Sequence, residues 1–309
     1  MYDSIIIGSS AAGLSAAIYL KRRGINFLLL GKDIGGEMAI AGEVDNYPGI
    51  SHTNGLELTE KFKEQAKQYE IEPKAINVTE ITKINGGFVV SGTNTENHAF
   101  EEKTKSIIIA SGSKPKKLKI PGEKEYYHKG ISYCSVCDGP IFKGKPVAII
   151  GGGNSALESG LMMAELCPKV FVLTKNAEMK GDEILIKELA KKENVEIIKM
   201  AFTQEIFGEE FTKGLKYLNQ NTNEIKEILV DGVFVHIGMS PNTDFVPDNW
   251  NIKNKIGEII TDKLGKTDIP GIFAAGDCSD IIYKQIAIAV GQGTIASLSA
   301  ISYLNSLEK

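Results

Sequence analysis

The feature that most constrains the fold is a strand–turn–helix–strand unit that occurs twice in the chain. In the first copy, an apolar run at residues 4–7 precedes a Gly/Ser/Ala turn, a helical pattern that Gly24 ends, and a second apolar run at 25–30. Gly151 follows Gly8 by 143 residues and opens the second turn. Such βαβ units build parallel α/β sheets, so two copies predict two nucleotide-binding domains of similar plan. The elements predicted for the second copy are a strand at 147–150, a turn at 151–153, a helix at 154–166 and a strand at 170–173.

Composition limits the classes of protein that the chain can represent. With 309 residues there is enough chain for two domains of ordinary size. A net charge of −4 argues against nucleic-acid binding, because nucleic-acid binders usually carry a basic excess. The sequence shows neither a signal peptide nor an apolar run of about 20 residues that would span a membrane. Four cysteines are too few for a disulfide scaffold, which predicts a cytoplasmic protein.

Both glycine turns match a pattern that lets backbone amides and a helix N-terminus approach a pyrophosphate. Each follows a strand and opens a helix, which is the context that gives the pattern meaning, although glycine turns can also simply close α/β packing. In the first turn, Ser10 replaces the middle glycine and adds a side chain near the expected phosphate, where its hydroxyl could donate a hydrogen bond. The candidate nucleotide-binding residues are Gly8, Ser9, Ser10, Ala11, Ala12 and Gly13 in the first turn, and Gly151, Gly153, Asn154, Ser155 and Ala156 in the second.

Neither unit has the acidic residue that usually binds a ribose at the tip of the second strand. The first strand ends in Leu30-Gly31, and the second in Leu173-Thr174-Lys175. In the first unit the sequence GKDIGGE follows instead, a second glycine-rich stretch that could follow a dinucleotide. Its candidate cofactor-binding residues are Gly31, Lys32, Gly35, Gly36 and Glu37.

A close pair of cysteines, Cys134 and Cys137, is followed directly by Asp138. A structural zinc site needs four ligands, but the other cysteines are isolated and the four histidines show no ligand spacing, so no metal is predicted. A C-x-x-C pair at the start of a helix is a dithiol whose first thiolate the helix N-terminus can stabilise. Asp138 is a candidate proton donor and acceptor for the sulfurs. The alternative is an inert, reduced pair in a turn; Cys167 and Cys278 are predicted to be small core residues.

Over essentially its whole length the chain resembles the low-molecular-weight thioredoxin reductases. The C-x-x-C-D-G and A-A-G-D motifs, at this separation, are highly specific together. The matching stretches are the first glycine turn at 8–13, GEVDNYPG at 42–49, ASG at 110–112, CSVCDG at 134–139, IIGGGNSALE at 149–158, IGMSPNT at 237–243, and GIFAAGDCSD at 271–280 with the YKQIAIAVGQG that follows.

The resemblance implies an architecture of two Rossmann-like, three-layer ββα nucleotide-binding domains, the second inserted into the first. An FAD-binding domain would comprise residues 1–113 and 242–309, and an NAD(P)H-binding-like domain at 114–241 would carry the cysteine pair. The family also implies a flavin disulfide oxidoreductase with FAD as cofactor, a thioredoxin-like protein as substrate and a homodimer.

The resemblance also implies roles for individual residues. Cys137 would face the flavin, Cys134 would attack the disulfide of the partner, and Asp138 would handle protons. Asp277 would bind the ribityl-phosphate region of FAD, with Asn46 near the flavin. The remaining residues expected at FAD are Ala110, Ser111 and Gly112 at the first crossing between domains, and Gly276, Lys284, Gln285 and Ile286 near the end of the chain.

One stretch departs from the family. Members that use NADPH carry three arginines after the second strand of the second unit, and these hold the 2′-phosphate; residues 174–180 here read TKNAEMK. Lysines at 175 and 180 could restore part of the charge but not the planar arginine fork. The chain is therefore similar to members that lack this motif and are ferredoxin-dependent or otherwise independent of NADPH. The intact second turn leaves NADH open as a donor.

Two other functions are compatible with the same motifs. One is a flavin dithiol oxidase that passes electrons from a small dithiol to oxygen. The other is a flavin-binding sensor without turnover. A sensor has no need of the trio Cys134, Cys137 and Asp138, so its presence favours an enzyme.

Overall fold

The computed structural model describes residues 1–32, 34–41 and 43–307. The chain divides into two compact units, one comprising Met1–Lys114 with Ser240–Lys309 and the other Pro115–Met239. The second unit is therefore inserted into the first. Which nucleotide each unit binds stays a prediction, as do the domain limits 1–113, 114–241 and 242–309.

The elements follow in chain order. Before the first crossing they are β1 (Tyr2–Ile7), α1 (Ala11–Arg22), β2 (Phe27–Leu30), β3 (Glu43–Val44), β4 (Thr53–Asn54), α2 (Gly55–Gln68), β5 (Ile76–Ile84), β6 (Gly87–Asn94) and β7 (Ala99–Ile109). The first crossing and the second unit contain β8 (Ser113–Pro115), β9 (Ile131–Ser132), α3 (Ser135–Asp138), β10 (Val147–Ile150), α4 (Asn154–Leu166), β11 (Val170–Leu173), α5 (Glu183–Ala190), β12 (Val195–Ile198), β13 (Ala201–Gly208), β14 (Thr212–Asn219), β15 (Glu224–Leu229) and β16 (Gly232–Val235). The second crossing and the return to the first unit contain β17 (Met239–Pro241), β18 (Ile272–Ala274) and α6 (Ile286–Leu307).

The first unit is organised by a sheet with the order β2-β1-β7, in which neighbouring strands are parallel. Strand β18 pairs in parallel with the end of β7, while β6 and β5 continue the sheet in antiparallel fashion from the start of β7. The register places Ile5 between Leu28 and Ile107. Because side chains alternate across a strand, Ile5 and Ile7 pack in one core, whereas Ile6 packs on the opposite face with helices α1 and α6.

The second unit repeats this plan. Its five-stranded parallel sheet has the order β12-β11-β10-β16-β9, and a separate antiparallel sheet contains β13, β14 and β15. Along β10, Ala148 and Ile150 face the antiparallel sheet, while Val147 and Ile149 face helices α4 and α5. The layers are thus antiparallel sheet, parallel sheet and helices, which is the predicted ββα arrangement.

The sequence predictions agree with most of these elements, and the differences have physical reasons. The predicted strand at 25–30 begins only at Phe27, because the amide of Ile25 still bonds the carbonyl of Leu20 at the end of α1. Residues 99–109 form one continuous strand, β7. Its first half alternates between exposed and more buried residues beside β6, and its last residues are fully buried between β1 and β18.

Within the described residues, helix α6 is long and apolar enough to cross a membrane, judged by length and composition. Core helices of soluble proteins can have the same length and composition. Here the helix packs against α1, and Ala296 and Ala300 contribute to the core on that face of the first sheet. Its apolar character is thus used at least partly in packing.

Candidate functional site

The first glycine turn joins β1 to α1 at very close range. Gly8 has a φ of +116°, and a methyl group on it would overlap the carbonyl oxygen of Ala110. A methyl group on Gly13 would overlap the carbonyl oxygen of Gly8. These two positions therefore require glycine, and they bring the N-terminus of α1 directly onto the ends of β1 and β7.

Ser10, which replaces the usual middle glycine, is the N-cap of α1 but does not cap it with its side chain. Its hydroxyl donates a 2.5 Å hydrogen bond to the carbonyl of Gly35 instead. The serine thus holds the second glycine-rich stretch and leaves the first amides of α1 without a side-chain cap. Such amides have no partner inside a helix, and with the helix dipole they favour an anion such as a pyrophosphate. The first turn of α1 holds no acidic residue that would oppose this.

Other predicted FAD residues converge on this helix N-terminus. Gly31 lies against the hydroxyl of Ser9, Gly36 against Ser10, and Gly276 against Ala12.

Residues Ala110, Ser111 and Gly112 follow β7, where the hydroxyl of Ser111 donates to the carbonyl of Asn242 at 2.6 Å. The side-chain amide of Asn46 donates to the side-chain oxygen of Gln285 at 3.2 Å. The ammonium group of Lys284 donates to the carbonyl of Ser279 at 2.6 Å. Asp33 in GKDIGGE and Gly42 in GEVDNYPG lie outside the described residues.

Two carboxyl groups, Glu37 and Asp277, flank the same region. Burial raises the pKa of the Glu37 carboxyl, and the charge of Asp277 raises it further. Burial also raises the pKa of Asp277, although Lys284 and a hydrogen bond from Ser113 oppose the shift. Part of the Glu37 side chain is nevertheless exposed to solvent, and the solvent screens the charge of Asp277 and so reduces the increase in the pKa of Glu37. A further negative charge at the helix N-terminus would favour protonation of Glu37.

The cysteine pair lies where β9 turns into α3. Cys134 is the N-cap of this one-turn helix and is joined to Cys137 by a disulfide. The amide of Cys137 donates to the sulfur of Cys134 at 3.1 Å. Cys134 is half-buried, whereas Cys137 is exposed. Asp138 ends the helix and accepts a 2.6 Å hydrogen bond from the hydroxyl of Ser132.

Three residues around this pair were not predicted from the sequence. Ser132 also donates to the carbonyl of Cys134 at 3.1 Å and accepts from its amide at 3.0 Å. Ser135, between the cysteines, is buried and lies 3.5 Å from Nε2 of His236. Burial lowers the pKa of His236 to about 4, so the imidazole is neutral at pH 7. Ser132 and Ser135 could have been found from the sequence because they are close to the cysteine pair along the chain. Nothing in the sequence connects the cysteine pair with His236, which is about a hundred residues away.

The second glycine turn has the same construction as the first. A methyl group on Gly151 would overlap the carbonyl oxygen of His236, which follows β16. Gly153 is the N-cap of α4 and offers no side chain, which leaves the helix amides open. Asn154 is engaged with Asp182: its side-chain oxygen accepts from the Asp182 amide at 2.7 Å and its nitrogen donates to the carboxylate at 3.0 Å.

The stretch at 174–180 folds against this turn. Thr174 is buried next to Gly152, and the amide of Lys180 donates to the carbonyl of Gly152 at 2.6 Å. The side chains of Lys175 and Lys180 are exposed. The stretch therefore offers two ammonium groups on flexible stems and no guanidinium fork to a 2′-phosphate.

In the described part of the chain, no group of three or more His, Cys, Asp or Glu residues could hold a metal ion. Cys167 and Cys278 are free thiols buried in the two units, and burial raises the pKa of each.

The first glycine turn with its carboxyl groups belongs to the first unit, while the second turn and the disulfide belong to the other. The first unit thus offers an open helix N-terminus at its glycine turn, and the second unit offers another together with the disulfide that caps α3.

This fold and these sites define the class of flavin disulfide oxidoreductases. The chain belongs to the pyridine nucleotide-disulphide oxidoreductase family, whose model matches residues 2–293. Members of this family bind FAD. The open N-terminus of α1 in the first unit is compatible with the pyrophosphate of such a dinucleotide.

Among curated proteins, the chain is 38% identical over 303 residues to an NADH dehydrogenase of Bacillus subtilis. It is 40% identical over 306 residues to an alkyl hydroperoxide reductase component of Escherichia coli. Each match covers 98% of this chain but only 58% of the relative. The chain thus spans little more than half the length of these relatives.

Solved structures match over the full length of both chains. Thioredoxin reductase of Lactococcus lactis is 36% identical with a TM-score of 0.89, covering 99% of this chain and 100% of its own. A ferredoxin-flavin thioredoxin reductase of Clostridium acetobutylicum is 33% identical with a TM-score of 0.55, covering 99% and 98%. The predicted resemblance to low-molecular-weight thioredoxin reductases, including ferredoxin-dependent ones, is confirmed.

The carboxyl groups at the first site predict that FAD binding is coupled to proton uptake. The pKa of Glu37 is already raised in the apoprotein, and the pyrophosphate adds negative charge, so the complex binds more protons than the free protein. We expect the Kd of apoprotein for FAD, measured by flavin fluorescence, to rise with pH above the ordinary range of a carboxyl group, with a slope of up to about tenfold per pH unit for one proton taken up.

The Glu37→Gln variant should flatten this dependence, because its neutral amide does not titrate. Exposed Glu64 on α2 supplies the matched control, and Glu64→Gln should keep the slope of the parent protein. Equal slopes in the parent and in Glu37→Gln would contradict this account of the site.

Proposed function

We propose that the chain is an FAD-dependent thioredoxin-disulfide reductase. It would pass electrons from a donor through flavin and the Cys134–Cys137 pair to a thioredoxin-like protein. The observation that carries this proposal is the disulfide that caps α3 beside Asp138, in a fold similar along its whole length to thioredoxin reductase of L. lactis. We further propose, from the family alone, that the enzyme is a cytoplasmic homodimer.

FAD, when bound at the first site, supplies two-electron redox chemistry that can reduce the disulfide. After reduction, the thiolate of Cys134 attacks a sulfur of the partner's disulfide and displaces the other sulfur as a thiolate. Cys137 then gives up its proton and attacks Cys134, which restores the internal disulfide and releases the partner's second thiolate. The two protons of the dithiol end on the partner, with Asp138 as the group that transfers them.

Two observations bear on which cysteine attacks. The amide of Cys137 donates to the sulfur of Cys134, which supports Cys134 as the stabilised thiolate. The greater exposure of Cys137 supports the opposite order. We favour Cys134, because a nucleophile needs a stabilised negative charge, whereas exposure changes when domains or partners move.

The electron donor is proposed to be reduced ferredoxin or NADH, and not NADPH. The exposed lysines at 175 and 180 cannot provide bidentate contacts to a 2′-phosphate. NADH is supported by the open N-terminus of α4 and by the B. subtilis relative, which is an NADH dehydrogenase. Ferredoxin is supported by the C. acetobutylicum neighbour, whose donor its name gives.

A lysine cluster at 114, 116, 117 and 119 could steer an acidic ferredoxin. Two of its members are engaged elsewhere. Lys114 pairs with Asp244 at 2.9 Å, and the ammonium of Lys117 lies 3.4 Å from the ring centre of Tyr133. Of the four, Lys116 and Lys119 therefore remain as candidates for steering, which weakens the support for ferredoxin relative to that for NADH.

Single cysteine variants test the order of attack. Cys134→Ser should leave a thiolate at Cys137 and produce a long-wavelength charge-transfer absorption with oxidised flavin. Cys137→Ser should lack this band and trap a mixed disulfide with a thioredoxin-like substrate, detectable by mass spectrometry. Each variant should lose disulfide reduction by on the order of 100-fold or more, because exchange needs both sulfurs.

Cys167→Ser is the control, because the new hydroxyl can keep the hydrogen bond that the thiol donates to the carbonyl of Phe142. It should retain activity. A band in Cys137→Ser and none in Cys134→Ser would reverse the assigned roles. Oxygen consumption driven by a small dithiol, without reduction of any protein disulfide, would favour the dithiol oxidase instead.

The donor is tested by anaerobic flavin bleaching with NADPH, NADH and reduced ferredoxin in turn. NADH or ferredoxin should bleach the flavin within the turnover time. NADPH should be at least about tenfold less effective than NADH at equal concentration, because residues 174–180 offer no charge-assisted contacts to its 2′-phosphate. Rapid bleaching by micromolar NADPH would show that the interpretation of residues 174–180 is wrong.

A further inference from the structure

The helix that carries the cysteine pair is too short to be stable by itself. Helix α3 has four residues, and a single helical turn fixes many backbone angles for few hydrogen bonds. In the oxidised protein, the disulfide closes this turn from Cys134 to Cys137. Once it is reduced, other contacts must keep the two sulfurs adjacent, because exchange requires Cys137 to reach Cys134 quickly.

His236 is fixed in position by the parallel sheet. It directly follows β16, and its amide donates to the carbonyl of Ile150 at 2.7 Å. Its own carbonyl lies against Gly151, in the space that a side chain would need. The backbone of His236 therefore cannot shift without moving the second glycine turn, which makes it a rigid base for its imidazole.

The imidazole reaches the middle of the cysteine pair. Nε2 of His236 lies 3.5 Å from the hydroxyl of Ser135, the first residue of α3. The imidazole is half-buried and neutral, which leaves one ring nitrogen able to accept a hydrogen bond. With the ring proton on Nδ1, Ser135 donates to Nε2.

The other end of the turn is held by a group that takes part in proton transfer in the proposed function. Asp138 accepts from Ser132, and this bond changes whenever Asp138 gains or loses a proton. The imidazole of His236 does not titrate near neutral pH, because burial lowers its pKa to about 4. The contact between His236 and Ser135 can thus persist through the cycle.

We propose that His236 is a positioning residue that, through Ser135, holds the reduced α3 turn so that Cys137 stays next to Cys134. This inference rests on the proposed redox role of the pair. A held turn raises the effective concentration of one thiol at the other, which stabilises the disulfide relative to the dithiol. Loss of the contact makes the pair more oxidising without removing any group that reacts.

The test is the thiol–disulfide equilibrium of the holoenzyme with glutathione. The protein is equilibrated anaerobically in mixtures of reduced and oxidised glutathione, alkylated, and the free thiols are counted by mass spectrometry. Ser135→Ala and His236→Phe should each lower the equilibrium constant for disulfide formation by about fivefold, the size of one hydrogen bond. That change corresponds to about +21 mV, at 29.6 mV per tenfold for a two-electron couple.

Two further variants separate positioning from general packing. His236→Gln retains an acceptor and should keep the parent equilibrium constant within about twofold. The double variant Ser135→Ala/His236→Phe should lose no more than the larger single effect, because both changes remove one interaction. Ser159→Ala is the matched control: this serine of α4 is also buried, its hydroxyl has no hydrogen-bond partner among the described residues, and its loss should change nothing.

The outcomes decide separate questions. A parent-like equilibrium in Ser135→Ala overturns the inference, even if His236→Phe does not fold. Additive losses in the double variant, or a shift in His236→Gln as large as in His236→Phe, overturn it as well. If the pair in the parent protein does not exchange with glutathione at all, the proposed redox function fails.

Discussion

The close approach of Gly13 to the carbonyl of Gly8 is the contact on which the first site depends. It sets α1 against the ends of β1 and β7, so that the helix N-terminus, with uncapped amides and a positive dipole end, faces the edge where the strands finish. In the second unit, the close approach of Gly151 to the carbonyl of His236 likewise sets the N-terminus of α4 at the ends of the parallel strands. Because no side chain fits in these gaps, each turn requires glycine there, and the uncapped amides of each helix N-terminus can accept an anion.

Departures from the usual motifs are accommodated by redirecting side chains. Ser10 turns its hydroxyl to the carbonyl of Gly35 and thereby anchors the second glycine-rich stretch beside the helix. Thr174 packs beneath the second turn, near the end of the strand where dinucleotide-binding folds usually carry an acid for the ribose. The first change keeps the pyrophosphate site open, and the second removes a polar contact from a dinucleotide. The first turn is therefore open to a pyrophosphate, while the second turn offers fewer polar groups to a dinucleotide.

Local pattern predicted most of the fold, because alternating apolar strands and glycine turns determine the βαβ units within about thirty residues. The ends of β10, α4 and β11 were predicted residue for residue. The partners of Ser10 and Ser135 were missed because they lie far along the chain, and a single sequence carries no signal for such contacts. The raised pKa of Glu37 likewise arises from its burial and its proximity to Asp277, which only folding creates.

In the proposed function, a flavin and the Cys134–Cys137 disulfide exchange electrons within this chain. An anaerobic dithionite titration of the yellow holoprotein, followed by flavin absorbance, tests it most directly. The account predicts about four electrons per flavin in the parent protein, two for FAD and two for the disulfide, and about two in the Cys134→Ser/Cys137→Ser variant. A colourless protein that cannot be reconstituted with FAD, or uptake of about two electrons by both proteins, would contradict the claim.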